Sequence, residues 1–276
     1  MKKFFAVLLA ACMVAGTAVA FAGCGDDDML RVATNAAFPP FEYKQGKAFT
    51  GVDMQIAKLL ADDMGKTLEI VDMEFDSVIN SVKSGDCAIG MAGMTVTETR
   101  KEQVDFTDEY YESAQVMIYK TGDTRFTGID KEDVTATEIE TFLSEQTDFT
   151  VGTQNGTTGY MYSHGDEGMG YDGYSNIETL GYTTGAAAAR DIIEDKVDAV
   201  IIDRQPALMI AESVGGLTVI DCALTSEAYA FAVRKGDTET LNAANALLDK
   251  LEENGELDKI INSFFDGTAT FTYTNP

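Results

Sequence analysis

Tryptophan is absent from this chain, histidine occurs once, proline four times, and basic residues are outnumbered by acidic ones, 20 against 46. Each shortage excludes something. A formal charge of −26 repels phosphate and anionic lipid alike, so binding of nucleic acid by counterion release is excluded. A single histidine, with Cys12, Cys24, Cys87 and Cys222 showing no C-x-x-C spacing, leaves a zinc site or a redox dithiol without ligands, and neither metal nor cofactor is expected. No G-x-S-x-G, P-loop or H-E-x-x-H sequence occurs. What is present suits a folded protein: 45% hydrophobic and 24% charged residues over 276 positions, enough for one large domain or two of ordinary size.

The N-terminus is a separate object. Lys2 and Lys3 precede an apolar stretch from Phe4 through Val14 and a small-residue segment ending at Gly23, the order of an export signal. Phe21-Ala22-Gly23-Cys24 then resembles a bacterial lipoprotein box, with Phe21 where that box usually carries an aliphatic residue. The reading is a signal peptide over 1–23, lipidation at Cys24 and an acidic tether over 24–28; cleavage after Ala20 and retention as a membrane helix are the alternatives. Cleavage removes two lysines and no acid, so charge cannot hold the mature chain to an anionic membrane. Acyl chains can, at about 0.8 kcal/mol per buried methylene. Cys87 and Cys222 could pair in an exported protein, but both lie in apolar runs, and free buried thiols are the favoured reading.

From Met29 onward short apolar runs alternate with amphipathic segments, the pattern of an α/β protein. Leu30 to Thr34, Leu68 to Met73 and Cys87 to Met91 read as strands; Val52, Ile56, Leu59, Leu60 and Met64 share a helical face closed by Gly65, and Val78, Ile79 and Val82 make a short helix ended by Gly85. A second group begins near Thr121, with a helix over Ile139 to Leu143, a strand over Phe149 to Gly152, an Ala-rich helix from Thr183 to Val197 and a strand from Val197 to Ile202. Two helical stripes follow, Leu241 to Leu251 and Leu257 to Phe265.

Several segments, in order, carry a resemblance: Ala33-Thr34-Asn35-Ala36-Ala37-Phe38-Pro39-Pro40-Phe41-Glu42-Tyr43, Gly51-Val52-Asp53, Ala92 to Arg100, Val104 to Tyr111, Gln154 to Gly159 and Val197 to Asp203. Together they resemble the polar amino-acid solute-binding proteins of ABC importers. The resemblance implies a two-lobe periplasmic-binding-protein-like fold of type II, with a first lobe over 29–112 and 229–276, a second over 113–228, and crossings near Glu112 to Gln115 and Ser226 to Ala230. It also implies a monomer outside the cytoplasm, anchored by its lipid, that passes a free amino acid to ABC permease subunits.

The chemistry of these residues agrees. An amino acid is a zwitterion, and each of its charges needs a partner when it leaves water. Arg100 offers a planar fork for the carboxylate. Gly93 and Thr95 precede it in a turn whose free donors and acceptor reach both charges. Asp203, at the end of an apolar strand, can take the ammonium, and Thr157 and Thr158 can complete carboxylate capture from the opposite lobe. At about 1.5 to 3 kcal/mol per charge-assisted bond these groups could supply about 6 to 10 kcal/mol, near the roughly 8 that micromolar binding requires. Each residue alone has a duller use: Arg100 as a surface cation, Asp203 as a cap for the helix containing Pro206, the aromatics as core.

The resemblance maps the side-chain pocket to Asn35, Phe38, Phe75, Gln154 and Ile202. Relatives that bind cationic side chains generally carry Asp at the position of Asn35, so the expected ligand is a neutral polar amino acid resembling glutamine. The alternative is an enzyme, a cyclohexadienyl or arogenate dehydratase of the kind that shares this fold, which would need a spare acid in the cleft; Glu42 is the candidate. Gly168 to Gly173 matches G-x-G-x-x-G without a flanking strand or helix, and His164 in the same stretch reads as a solvated loop residue.

Overall fold

A computed structural model describes residues 28–276; the expected signal peptide, the expected lipidation site Cys24 and all but the last residue of the expected tether lie outside the described residues. Two five-stranded sheets organise the chain. The first has the order β5 (Thr67–Asp72), β1 (Met29–Thr34), β6 (Ile89–Gly90), β15 (Ala232–Arg234), β7 (Val104–Phe106). The second has β11 (Glu178–Tyr182), β10 (Thr150–Gln154), β12 (Ala199–Asp203), β9 (Gln115–Lys120), β13 (Leu217–Ile220). Both follow one plan. A central strand, β1 or β10, has a parallel neighbour on each side, so chain order reverses beside it, and antiparallel strands complete the far half. The fold is the two-lobe α/β architecture expected.

Helices cover both faces of each sheet. On the first, α1 (Val52–Asp63), α8 (Thr238–Glu253) and α9 (Glu256–Phe265) pack together on one side and α2 (Phe75–Ser84) lies on the other. On the second, α6 (Gly185–Ile193) and α7 (Arg204–Val214) take one side, and α4 (Ala136–Glu145) and α5 (Thr158–His164) the other. The C-terminal helices therefore belong to the first lobe. The largest apolar cluster runs from the α1, α8 and α9 side through Phe41, Tyr110 and Tyr229 into the α6 and α7 side of the second sheet. Cys87 is buried in the first lobe and Cys222 half-buried in the second, and both are free thiols.

Most expected elements occur, with shifted ends. The strand expected over Cys87 to Met91 keeps ladder pairing only at Ile89–Gly90, although the whole run is largely buried, and the Ala-rich helix is shorter than its composition suggests because Asp195, with φ of 56°, turns the chain before Val197. Two features were not anticipated. A small sheet of β2 (Ala37–Phe38), β3 (Glu42–Gln45) and β4 (Ala48–Thr50) precedes α1. The chain after α9 returns past this small sheet, where Tyr273 exchanges backbone hydrogen bonds with Phe49 of β4, to the first sheet, where the Asn275 side chain bonds both the N–H and the carbonyl of Ile70 on edge strand β5. Covering that edge removes a template for unwanted strand pairing.

The sheets are joined by two adjacent crossings. One passes through β8 (Tyr111–Ser113) and the other through β14 (Glu227–Tyr229), which pair antiparallel. The start of α1 is set by backbone contact. The Val52 and Asp53 N–H groups donate to the Pro40 and Phe41 carbonyls, an approach so close that a Cβ on Gly51, at φ of 121°, would lie 2.1 Å from the Phe41 oxygen. Gly51→Ala should therefore lower the unfolding free energy by about 3 kcal/mol, read from urea denaturation of the ligand-free protein.

Candidate functional site

In open α/β sheets, ligands sit beyond the carboxyl ends of strands where strand order reverses. Both reversal points here face one cleft. From the first lobe come Asn35 after β1, Phe38 in β2, Phe75 at the start of α2, Gly93 and Thr95 in the turn after β6, and Arg100 in α3 (Glu98–Lys101). From the second come Gln154 at the end of β10, Thr157 and Thr158 at the start of α5, and Asp203 at the end of β12. With Ala92 these residues line a single narrow cleft. Ile202, the remaining mapped position, is buried beneath it and does not line it.

Arg100 is 5% exposed, so it is not a surface cation. Thr97 caps α3 by accepting from the Arg100 N–H, which fixes the backbone from which the side chain departs. The guanidinium donates from Nη1 to the Thr95 carbonyl at 2.6 Å and from Nη2 to the Gly156 carbonyl at 2.9 Å, and lies 5.3 Å from the centre of the Phe75 ring. Its partners are neutral: among the described residues it makes no ion pair with a carboxylate. Burial lowers its pKa to about 10, against the opposing pull of the nearby Glu227 and Asp203 charges. Only part of its five-donor fork is used, and the rest can meet an anion.

Asp203 is 4% exposed and occupies the capping position of α7, yet it makes no side-chain capping bond. Its Oδ1 instead accepts from the hydroxyls of Ser113, at 3.1 Å, and Tyr229, both on the crossing strands. Burial, and then the nearby Glu227 charge, raise its pKa to about 7 against the pull of those donors. The cap reading of Asp203 thus fails because its oxygen is turned toward the cleft.

Three contacts span the cleft: Arg100 to Gly156, Gln154 Nε2 donating to Asn35 Oδ1 at 2.9 Å, and the carboxylate of Glu227. Glu227 Oε2 accepts from Thr95 Oγ1 at 2.6 Å and Thr158 Oγ1 at 2.7 Å, one from each lobe. Glu227, Ser113 and Tyr229 were missed by sequence reasoning. The available signal was one acidic residue entering the apolar run Glu227-Ala228-Tyr229-Ala230-Phe231-Ala232-Val233.

Glu42 does not line the cleft. It is fully buried, and neither of its carboxyl oxygens receives a hydrogen bond from a donor group. Its contact is Asp53 on α1, whose own oxygens accept from the Gly93 N–H at 2.9 Å and the Tyr110 hydroxyl at 2.6 Å. Two buried acids in contact require a proton between them. Burial, followed by repulsion from Asp53 and Asp203, pushes the Glu42 carboxyl well above the usual range, and burial raises Asp53 to about 7. The pair thereby anchors the Gly93 turn from behind.

No group of three or more His, Cys, Asp or Glu among the described residues could hold a metal ion. His164 ends α5, stacked on Tyr160, and Gly168 to Gly173 forms a turn closed by the Asp166–Tyr171 bridge, with no phosphate-cradling strand and helix around it.

The sequence pattern of the bacterial extracellular solute-binding proteins, family 3, matches residues 30–267. The arginine-binding extracellular protein ArtP of Bacillus subtilis (strain 168) is 31% identical over 274 residues, covering 97% of this chain and 99% of that protein. Among solved structures, the amino acid ABC transporter substrate-binding protein AbpA of Streptococcus pneumoniae, bound to L-arginine, superposes with a TM-score of 0.75 at 27% identity, covering 88% of this chain and 97% of that one. The ancestral amino acid-binding protein AncCDT-1, described as a precursor of cyclohexadienyl dehydratase, gives 0.72 at 29% identity, covering 86% and 95%.

The acid pair makes stability pH-dependent in a defined sense. Burial holds protons on the folded pair that the unfolded chain releases near pH 4, so its contribution is full below that pH and declines as pH rises, the loss from Asp53 running through about 7. Glu42→Gln keeps a donor toward Asp53 and removes the titration. Its melting temperature relative to wild type should therefore rise from pH 5 to pH 8, as thermal unfolding followed by circular dichroism would show.

Proposed function

Because the chain belongs to the bacterial extracellular solute-binding proteins of family 3, we propose that it captures a polar, neutral L-amino acid resembling glutamine between two closing lobes and delivers it to an ABC importer. The lobes would comprise residues 29–112 with 229–276, and 113–228. The observation that carries the reading is Arg100, buried without a carboxylate partner in the same cleft as Asp203. A zwitterion supplies what each lacks: its carboxylate meets the remaining guanidinium donors, and its ammonium meets Asp203, whose Oδ1 is already held by Ser113 and Tyr229. Neutralisation of both charges in one event rewards closure of the cleft.

The ligand side chain would extend toward Asn35, Phe38, Phe75 and Gln154. Gln154 Oε1 is buried without a donor, while the two amides bond each other through Gln154 Nε2. A side-chain amide can donate to that oxygen and accept from an unused amide hydrogen. The amides bring no negative charge to balance a cationic side chain. Arginine is the second reading, favoured by the ligand named for ArtP and AbpA. Dehydratase chemistry has the AncCDT-1 likeness in its favour, but Glu42 is committed to Asp53 behind the cleft, and Asp203 faces the ammonium. The chain would be a monomer held to the membrane by lipid on Cys24.

Calorimetry with glutamine, arginine and lysine tests the proposal. Glutamine should bind tightest, and tighter binding of arginine or lysine overturns the neutral-ligand reading. Arg100→Ala should weaken every amino acid by at least about 100-fold, the loss of two charge-assisted bonds, with little change in the melting temperature of the empty protein. Binding requires ionised Asp203, so affinity should fall as pH drops below about 7, by up to tenfold per unit, with proton release visible as a dependence of the heat on buffer. Incubation with prephenate or arogenate should give no turnover.

A further inference from the structure

The crossing strand β14 brings a carboxylate against the cleft that no part of the proposed ligand capture uses. Glu227 is 7% exposed, and its oxygens accept three hydroxyl protons: Oε2 those of Thr95 and Thr158, and Oε1 that of Thr225 at 2.6 Å. Each threonine hydroxyl has one proton and two lone pairs. Thr158 Oγ1 spends its proton on Glu227 and one lone pair on the Nε2 donor of Gln115, at 2.9 Å. It has only acceptor capacity left. Thr95 Oγ1, bonded to the same Glu227 oxygen, likewise has only acceptor capacity. Neither hydroxyl can then donate to a ligand carboxylate, so the carboxylate capture expected of Thr158 falls to its backbone N–H at the start of α5.

We propose that Glu227 is a positioning residue: by taking the hydroxyl protons of Thr95 from one lobe and Thr158 from the other on a single oxygen, it turns both hydroxyls into acceptors for the ligand's α-ammonium and ties the two walls of the cleft to the crossing strand. The inference rests on the amino-acid reading above. Polarity, rather than bulk, is what Glu227 supplies. Gln115, Thr225 and Glu227 all lie on or beside the crossings, so the hydrogen-bond direction is imposed from the hinge side, where the protein's own donors converge.

The test compares ligands with and without the ammonium. Wild type, Glu227→Gln and Glu227→Met are titrated with the tighter of L-glutamine and L-arginine and, by competition, with its α-hydroxy analogue. Glu227→Gln retains an acceptor oxygen and should bind the amino acid within about threefold of wild type. Glu227→Met removes the acceptor and should weaken the amino acid at least tenfold, through faster dissociation, while changing the hydroxy analogue by less than threefold. Unchanged amino-acid binding by Glu227→Met, an equal loss for both ligands, or a loss in Glu227→Gln as large as in Glu227→Met would each overturn the proposal. Should Glu227→Met fail to fold, the double variant Thr95→Val and Thr158→Val removes the same acceptors from the other side; selective loss of the amino acid supports the proposal and equal loss overturns it. Wild-type protein that binds no amino acid would instead overturn the reading on which this rests.

Discussion

The structure turns on a guanidinium that has left water without gaining a carboxylate. Arg100 is held by two backbone carbonyls and the face of Phe75, partners that orient it but carry no compensating charge. An unpaired buried ion costs several kcal/mol, so such an arrangement persists only where the surrounding fold imposes it. The fold does impose it. One carbonyl belongs to the turn that precedes α3 and the other to the opposite lobe, so the fork can point only into the cleft between them.

Two copies of one sheet plan provide the geometry. In each, the central strand has parallel neighbours on both sides, and the loops leaving it and its later neighbour diverge to opposite faces, opening a crevice at the strand ends. Placing two such crevices face to face yields one enclosure with separate walls. The crossings are part of that enclosure and not mere connectors: Ser113, Glu227 and Tyr229 supply hydrogen bonds to Asp203, Thr95 and Thr158. Behind the first lobe's wall, Glu42 lies against Asp53, which grips the Gly93 N–H. Around the cleft, burial is the first cause that raises the pKa of Glu42, Asp53 and Asp203, and the donors that reach Asp53 and Asp203 oppose it.

Much of the fold was legible because periodicity reports burial. The stripe from Val52 to Met64 became α1, Gly85 ended α2 in the left-handed conformation, and the apolar run before Asp203 became β12, buried along its whole length. The Ala-rich helix stopped earlier than composition suggested, and the run at Cys87 paired over only two residues, because strand pairing depends on neighbours distant in sequence. That α8 and α9 pack on the first lobe came from resemblance, since an amphipathic stripe says that a face is buried and not against what. The return of Tyr273 and Asn275 along β5 left no periodic signal at all.

The amino-acid sequence by itself determined the kind of chemistry available: acidic overall, poor in histidine and cysteine, with Arg100 and Asp203 set within segments in a family order. Residue type and spacing are local properties, and they are enough to list those groups. Which oxygen faces which proton was decided only by the tertiary structure. Asp203 could have capped α7, Glu42 could have faced the cleft, and Glu227 had no recognisable role until β14 brought it between Thr95 and Thr158. Charge state and hydrogen-bond direction depend on burial and on partners dozens of residues away, and those exist only once both sheets have folded and their strand ends meet.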